Sequence, residues 1–290
     1  MRTLSIAALQ TAPVTGDPDA TLDRFAEQAA AVRETIGHTQ LLLAPELHLS
    51  APPGLLDGAA DYAAQAAVEV PGPLTGRLES IAAETGLWLV PGSVYERAAD
   101  GAIHNTALAI SPERGLVASY RKVFPWQPSE RTKPGTRFVV FEIDGVGRAG
   151  LAICYDGFFP EVFRQLAWLG AEVVLQPTLT TTSDRAAELV TARANAIVNQ
   201  VFVVNVNASA PAALGRSLIV DPEGHARVEA GSGEELLTDV LDLDAVSTVR
   251  EFGTAGVSRM WEQIDRGAAA EVELPMYANG RIQPRPVPGE

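Results

Sequence analysis

Three residues of reactive type end apolar runs in this sequence. Glu46 closes Leu41-Leu-Leu-Ala-Pro45-Glu46, and Lys122 stands in Ser119-Tyr-Arg-Lys122-Val-Phe-Pro125-Trp126. Cys154 stands in Leu151-Ala-Ile-Cys154-Tyr-Asp156-Gly157-Phe-Phe-Pro160-Glu161 and is the only cysteine among 290 residues. A thiol at the mouth of a strand, just before a helix, has backbone N–H groups nearby to stabilise negative charge. Taken singly, a cysteine is more often a small buried hydrophobe, and a Glu or Lys at a strand end more often a solvated charge. The set carries more weight: each reactive type ends a run of similar design, and Glu130 follows eight positions after Lys122. Glu, Lys and Cys in that order point to a hydrolase rather than a binding module.

Other motifs carry less. Gly145-Val-Gly147-Arg-Ala-Gly150 fits the dinucleotide fingerprint, but that motif needs a helix after its glycines. Here Leu151-Ala-Ile-Cys154 reads as a strand, so the glycines read as hairpin punctuation. Ser119-Tyr-Arg-Lys122 fits S-x-x-K, yet the segment alternates like a strand and separates the two side chains. There is no G-x-S-x-G elbow, and His38, His48, His104 and His225 show no metal-binding spacing. A Cys–His protease is the harder rival, with His48 or His104 as base for Cys154. The plainer reading of both histidines is a surface or loop position.

The reactive residues need strands to hold them, and the pattern supplies strands alternating with helices. Leu4–Ala12 reads as a strand. Asp17 caps a helix with Pro18 in its first turn, continued by 21–36. Gln40–Pro45 is a short apolar strand. Leu74, Leu78, Ile81 and Ala82 recur at helical spacing, with Gly86 as the stop. Leu87–Tyr95, Asn105–Ser111 and Leu116–Lys122 read as strands, the last two joined by a turn at Pro112-Glu-Arg-Gly115. A loop with Pro125, Pro128 and Pro134 carries Trp126 and Glu130, and irregular loops on a rigid sheet are where chemistry tends to sit. Phe138–Ile143 and Arg148–Cys154 form a hairpin. A helix bearing Val162, Phe163, Leu166 and Leu169 follows and stops at Gly170. Then come strand 173–176, helix 184–199, strand 201–208, and two strand-like runs around Asp221-Pro-Glu-Gly224. Alternation around one core means one α/β domain, residues 1–273, with a Pro-rich tail over 274–290. The hairpins make the sheets mixed.

Composition narrows the class. With 47% hydrophobic and 20% charged residues the chain has ample material for a core. A net charge of −14 with no basic cluster argues against a nucleic acid partner. No run approaches the ~20 apolar residues of a membrane span. The first residues read as a strand rather than a signal peptide, and one cysteine cannot form an internal disulfide, so a cytoplasmic location is expected.

Pro45-Glu46, Arg121-Lys122, Glu130 and Cys154-Tyr-Asp156-Gly157-x-x-Pro160-Glu161 resemble the carbon–nitrogen hydrolases of the nitrilase superfamily. The resemblance takes in Leu4–Pro13, Asn199-x-x-x-x-x-Asn205 and Gly215-Arg-Ser217…Asp221-Pro-x-Gly224, most of the chain up to about Asp244. It implies a four-layer α-β-β-α sandwich with two mixed sheets, assembled as a homodimer or higher homo-oligomer. It also implies hydrolysis of a non-peptide C–N bond in a small molecule through a thioester, without metal or organic cofactor. The implied roles are Cys154 as nucleophile and Glu46 as base. Lys122, with the backbone N–H of Tyr155, would hold the oxyanion, and Glu130 would orient Lys122 and the substrate nitrogen. These roles suit the chemistry, because an amide carbonyl is a poor electrophile and needs a deprotonated thiol and a stabilised oxyanion.

The branch is read from neighbouring positions. Tyr155-Asp156 after the cysteine resembles the amidase branches, where true nitrilases carry Trp-Glu. Trp126 matches a pocket tryptophan of short-chain amidases. The third and fourth positions after the cysteine are Gly157 and Phe158, where N-carbamoyl-amino-acid hydrolases place arginines. A pocket of Trp126, Phe158, Phe159, Thr178 and Thr180 is therefore expected to take a neutral primary amide. Leu47, and small residues at Thr178-Leu-Thr180-Thr-Thr182, imply a roomier pocket than formamide needs. N-carbamoyl hydrolysis, nitrile hydrolysis and acyl transfer to an amine or hydroxylamine remain open on the same thioester. A non-catalytic binding subunit would be marked by a lost Glu, Lys or Cys, and none is lost.

Overall fold

The computed structural model describes the chain except residues 54–58, 128, 268–270 and 284–290, so Pro128 and the end of the tail lie outside the described residues. The elements in chain order are β1 (Thr3–Gln10), α1 (Pro18–Thr35), β2 (Leu41–Leu43), α2 (Ala59–Ala66), α3 (Pro73–Thr85), β3 (Trp88–Val90), β4 (Ser93–Arg97), β5 (Ile103–Ser111) and β6 (Gly115–Arg121). They continue as β7 (Val139–Ile143), β8 (Gly147–Leu151), α4 (Pro160–Trp168), β9 (Val173–Thr178), α5 (Arg185–Asn199), β10 (Phe202–Asn207), β11 (Leu218–Val220), β12 (Ala226–Glu229), β13 (Glu235–Asp242), α6 (Asp244–Phe252) and α7 (Met260–Asp265).

Two mixed sheets form. The first runs β13-β1-β2-β3-β5-β4, with β6 also paired to β5, and the second runs β12-β11-β10-β9-β8-β7. Both faces of the central strands are buried, which is why their sequences read as near-continuous apolar runs. Leu4, Ile6 and Ala8 of β1 and Leu41 and Leu43 of β2 meet Leu151, Val173, Leu175 and Val204 of the second sheet. The alternate residues Ala7, Leu9 and Leu42 pack on Leu22, Phe25 and Ala29 of α1 and on Leu78 and Ala82 of α3. On the far side, Val174 and Val203 pack against Val162, Phe163 and Leu166 of α4 and Ala192 and Ala196 of α5. The layers are therefore α-β-β-α. Each fully buried Leu, Ile or Val contributes roughly 1.5–3 kcal/mol, so a charge at Leu43 or Leu175 would open the sheet-to-sheet core.

The helix starts follow the sequence signals. Asp17 accepts from the Ala20 N–H and Pro18 opens α1, while Gly86 ends α3 in a left-handed conformation with φ +67°. The run 87–95 is not one strand but two, β3 and β4. Gly92 between them has φ +82°, and a Cβ there would lie 1.6 Å from the Pro45 carbonyl oxygen. That approach packs the β3–β4 corner against the segment carrying Glu46. Gly145, φ +71°, turns the β7–β8 hairpin, and Gly147 and Gly150 lie within β8, which ends at Leu151 rather than running to Cys154. The elements between residues 235 and 265 are not legible as a pattern. β13 forms because β1 offers it a full antiparallel register, Thr3 opposite Asp242 through Gln10 opposite Glu235. In the tail, the Tyr277 hydroxyl donates to Glu161 Oε1 at 2.6 Å, docking the chain there onto α4. Among the described residues no helix is long and apolar enough to cross a membrane.

Candidate active site

Glu46, Lys122 and Cys154 each follow directly on a strand or its short extension, β2, β6 and β8, and the sandwich brings those strand ends together. The Glu46 N–H donates to the Thr178 carbonyl of β9 at 3.1 Å, tying the two sheets at this point. Cys154 is the first residue of a 3-10 turn (Cys154–Phe158) that leads into α4. Its φ is +44°, an uncommon conformation for a residue with a Cβ, costing of order 1–3 kcal/mol. Asp156 holds this elbow in place. It accepts from the Ile153 N–H at 2.9 Å, the Phe124 N–H at 2.9 Å and the Tyr120 hydroxyl at 2.8 Å, so the Cys154 turn is pinned to the segment bearing Lys122. Gln176 Nε2 donates to the Cys154 carbonyl at 2.9 Å, and a Cβ on Gly157 would meet that nitrogen at 2.3 Å.

Lys122 is buried between two carboxylates, with Nζ 2.8 Å from Glu46 Oε1 and 2.7 Å from Glu130 Oε2. Asn105, which opens the apolar run of β5, donates through Nδ2 to Glu46 Oε1 at 2.8 Å and to Glu130 Oε1 at 2.9 Å. The Trp126 N–H and the Thr132 hydroxyl complete the shell of Glu130 at 2.9 and 3.0 Å. Burial pushes Glu46 above the ordinary carboxylate range, against the pull of Lys122. Glu130 is buried too, but Lys122 and the Trp126 and Asn105 donors hold it below that range. Lys122 stays charged, because the two carboxylates outweigh its desolvation. Burial, then the Glu46 charge, lifts the Cys154 thiol well above its usual value. Two carboxylates driven apart in this way are suited to different tasks, the raised one to taking and giving a proton and the lowered one to holding a cation.

Glu46, Lys122, Glu130 and Cys154 line one cavity of about 110 Å3, together with Trp126, Tyr155, Phe158 and Thr180. The Tyr155 N–H stands in the first turn of its helix, where backbone donors lack intrahelical acceptors. Thr178 and Phe159, expected in the pocket, do not line it. Thr178 is fully buried in β9, because the side chains of a strand alternate between faces. Phe159 stacks on Phe124 at a centroid distance of 3.7 Å. The remaining wall includes Arg131, a loop arginine that could pair with a substrate carboxylate, and residues that the sequence does not single out, among them Tyr95, Ile103 and Leu179. Asn105 had left a signal, as a polar residue opening an otherwise apolar strand.

Neither histidine lines the cavity. His104 Nδ1 lies 2.7 Å from the Lys133 carbonyl. His48 is buried edge-to-face against Phe25, with no hydrogen-bond partner among the described residues on either ring nitrogen. Burial, aided by the Arg24 charge, lowers its pKa from 6.5 to about 4. The unfolded chain binds this proton first, so stability is expected to fall as pH drops from 6.5 towards 4, by roughly 3 kcal/mol, and to level off below. Urea unfolding at pH 7 and pH 4.5 checks this: His48→Leu should flatten the difference, and an unchanged difference would assign the acid sensitivity elsewhere.

Comparison with known proteins finds carbon–nitrogen hydrolases, several of them amidases, as relatives of this chain. The carbon-nitrogen hydrolase family matches residues 5–251. The (R)-stereoselective amidase of a Pseudomonas species is 34% identical over 254 residues, covering 85% of this chain and 88% of that one. Omega-amidase NIT2 of Xenopus tropicalis is 31% identical over 206 residues, 66% of this chain and 74% of its own. Among solved structures, a cysteine-to-alanine variant of the amidase from Nesterenkonia sp. AN1, in complex with butyramide, superposes with a TM-score of 0.69 at 27% identity. It covers 86% of this chain and 94% of that one.

Proposed function

The chain belongs to the carbon-nitrogen hydrolase family, and on that premise we propose that it converts a neutral primary amide to the acid and ammonia through a thioester on Cys154. The observation that carries this is the single cavity onto which Cys154 opens beside the Glu46–Lys122–Glu130 cluster. Glu46, made more basic by burial, takes the thiol proton as Sγ attacks the carbonyl carbon. Lys122 and the Tyr155 N–H stabilise the oxyanion. Glu46 then protonates the leaving nitrogen, the C–N bond breaks, and ammonia departs. A water deprotonated by Glu46 attacks the thioester, releasing the acid and returning the thiol its proton. Glu130 orients Lys122 and the substrate nitrogen throughout. Intact-protein mass spectrometry with a panel of primary amides, esters and nitriles tests the route. An acyl adduct confined to Cys154, with ammonia released from the amides, is the expected result, and turnover without Cys154 acylation would overturn it.

The acyl group is read from the wall. Leu47, Tyr95, Ile103, Trp126, Phe158 and Leu179 are predominantly apolar, and a carboxylate buried there unpaired would cost several kcal/mol. The competing reading, an amide with a distal carboxylate, rests on Arg131, which lines the same cavity. Arg185 is not available for that purpose: it is buried against Glu188 and donates to the Gly215 and Arg216 carbonyls. Butyramide is expected to exceed succinamate in kcat/KM by at least about tenfold. A preference for succinamate that disappears in Arg131→Ala would establish the charged reading instead.

A further inference from the structure

The nucleophile has a second polar neighbour that the proposed reaction does not use. Thr180 Oγ1 lies 3.7 Å from Cys154 Sγ and 2.6 Å from Glu188 Oε2. Glu188 projects from α5 and is almost fully buried, with 1% of its surface exposed. Its carboxylate is held by Arg185 Nη1 at 2.8 Å and by Asn205 Nδ2 at 3.1 Å. Arg185 is equally buried and is anchored in turn on the Gly215 and Arg216 carbonyls. A buried pair of this kind gains little stability over apolar residues of the same volume, so its presence beside the nucleophile calls for a function.

Proton bookkeeping supplies one. A threonine hydroxyl has one hydrogen and two acceptor lone pairs. An ionised carboxylate can only accept, so at 2.6 Å that hydrogen lies on the line to Glu188. Thr180 then has only lone pairs to offer Sγ, so a hydrogen bond between them takes the thiol as donor, and Thr180 shares the single S–H hydrogen with Glu46, the other acceptor facing it.

We propose that Glu188 is a positioning residue for the nucleophile: by taking the Thr180 hydrogen it makes Thr180 an obligate acceptor that holds Cys154 as an oriented neutral thiol until Glu46 removes its proton. This rests on Cys154 being the nucleophile. The charged groups facing the sulfur agree in sign. Glu46 from the end of β2 and Glu188 from α5 raise the cost of a thiolate, and Lys122 from the end of β6 lowers it. Glu130, in the loop after β6, is neutralised by its contact with Lys122, and Asp156 within the turn is saturated by its three donors.

The test reads the thiol directly and does not need turnover. Methyl methanethiolsulfonate is small, neutral and not an amide. The thiolate attacks its sulfenyl sulfur, an S–S bond forms, and methanesulfinate leaves. Cys154 is the only cysteine, so the mass gain of the intact chain reports this site alone. The rate is followed from pH 7 up to the highest pH at which circular dichroism shows the chain folded, for wild type, Glu188→Gln, Thr180→Val and Thr180→Ser, and where a midpoint is not reached the rate at pH 7 is compared instead. The midpoint of the pH profile is expected to fall by about one unit, a tenfold gain in thiolate at pH 7, in Glu188→Gln and in Thr180→Val. Thr180→Ser, which keeps the hydroxyl, should match wild type. Should Glu188→Gln fail to fold with Arg185 unpaired, Thr180→Val decides, because it leaves that ion pair intact. A midpoint that stays or rises in either folded variant, or a fall in Thr180→Ser equal to that in Thr180→Val, overturns the proposal. Failure of the amidase reading itself would show as absent Cys154 acylation by amides, whatever these profiles do.

Discussion

Cys154→Ala is expected to abolish amide turnover, by at least about four orders of magnitude in kcat, while the chain stays folded. A thioester needs a thiol, and Cys154, which lines the cavity, is the only cysteine of the sequence. Stability should change by only about 1 kcal/mol, since one partly exposed sulfur is lost and alanine meets the same φ of +44°. Ammonia release and the thermal transition, measured together on the pure variant, separate the two effects. Activity within a few-fold of wild type would end the thioester mechanism. A collapsed transition would mean that the elbow depends on the sulfur and not only on the Asp156 hydrogen bonds.

The second large effect is expected at the other two corners of the cluster. Glu46→Gln should lose at least about two orders of magnitude in kcat/KM with little loss of stability, because the amide oxygen can still accept from Lys122 and Asn105. Lys122→Met should lose as much activity and, unlike Glu46→Gln, destabilise the fold by about 3–5 kcal/mol. It removes the cation shared by two buried carboxylates 2.8 and 2.7 Å away, and one of them must then be protonated. His48→Ala and His104→Ala should retain activity to within a few-fold, since neither ring reaches the cavity. A dead histidine variant beside an active Glu46→Gln would restore the Cys–His alternative. A Lys122→Met protein as stable as wild type would mean that the cluster is already neutralised by protons.

The residue pattern alone made legible one α/β domain with mixed sheets and the candidate residues Glu46, Lys122 and Cys154 at strand ends, while the four layers came from the family resemblance. Strands buried on both faces must be apolar throughout, so they stand out as short unbroken runs, and reactive side chains placed directly at their ends stand out against them. The signals at Asp17, Pro18 and Gly86 are equally local, because a helix cap involves only neighbours along the chain. What lay beyond reach depends on partners distant in sequence. β13 is a strand because β1, some 230 residues away, leaves it an open edge. The break at Gly92 is set by the Pro45 carbonyl rather than by its own neighbours. Thr178 and Thr180 are alike in composition and two residues apart, yet only Thr180 reaches the sulfur, because the chain leaves β9 at Thr178. Until the sandwich closes, Asp156 is legible only as part of the motif after Cys154, Asn105 only as a polar residue opening an apolar strand, and Glu188 only as an ordinary polar residue. Their roles arise from carboxylates and donors meeting where water is excluded, and that meeting is a property of the tertiary structure.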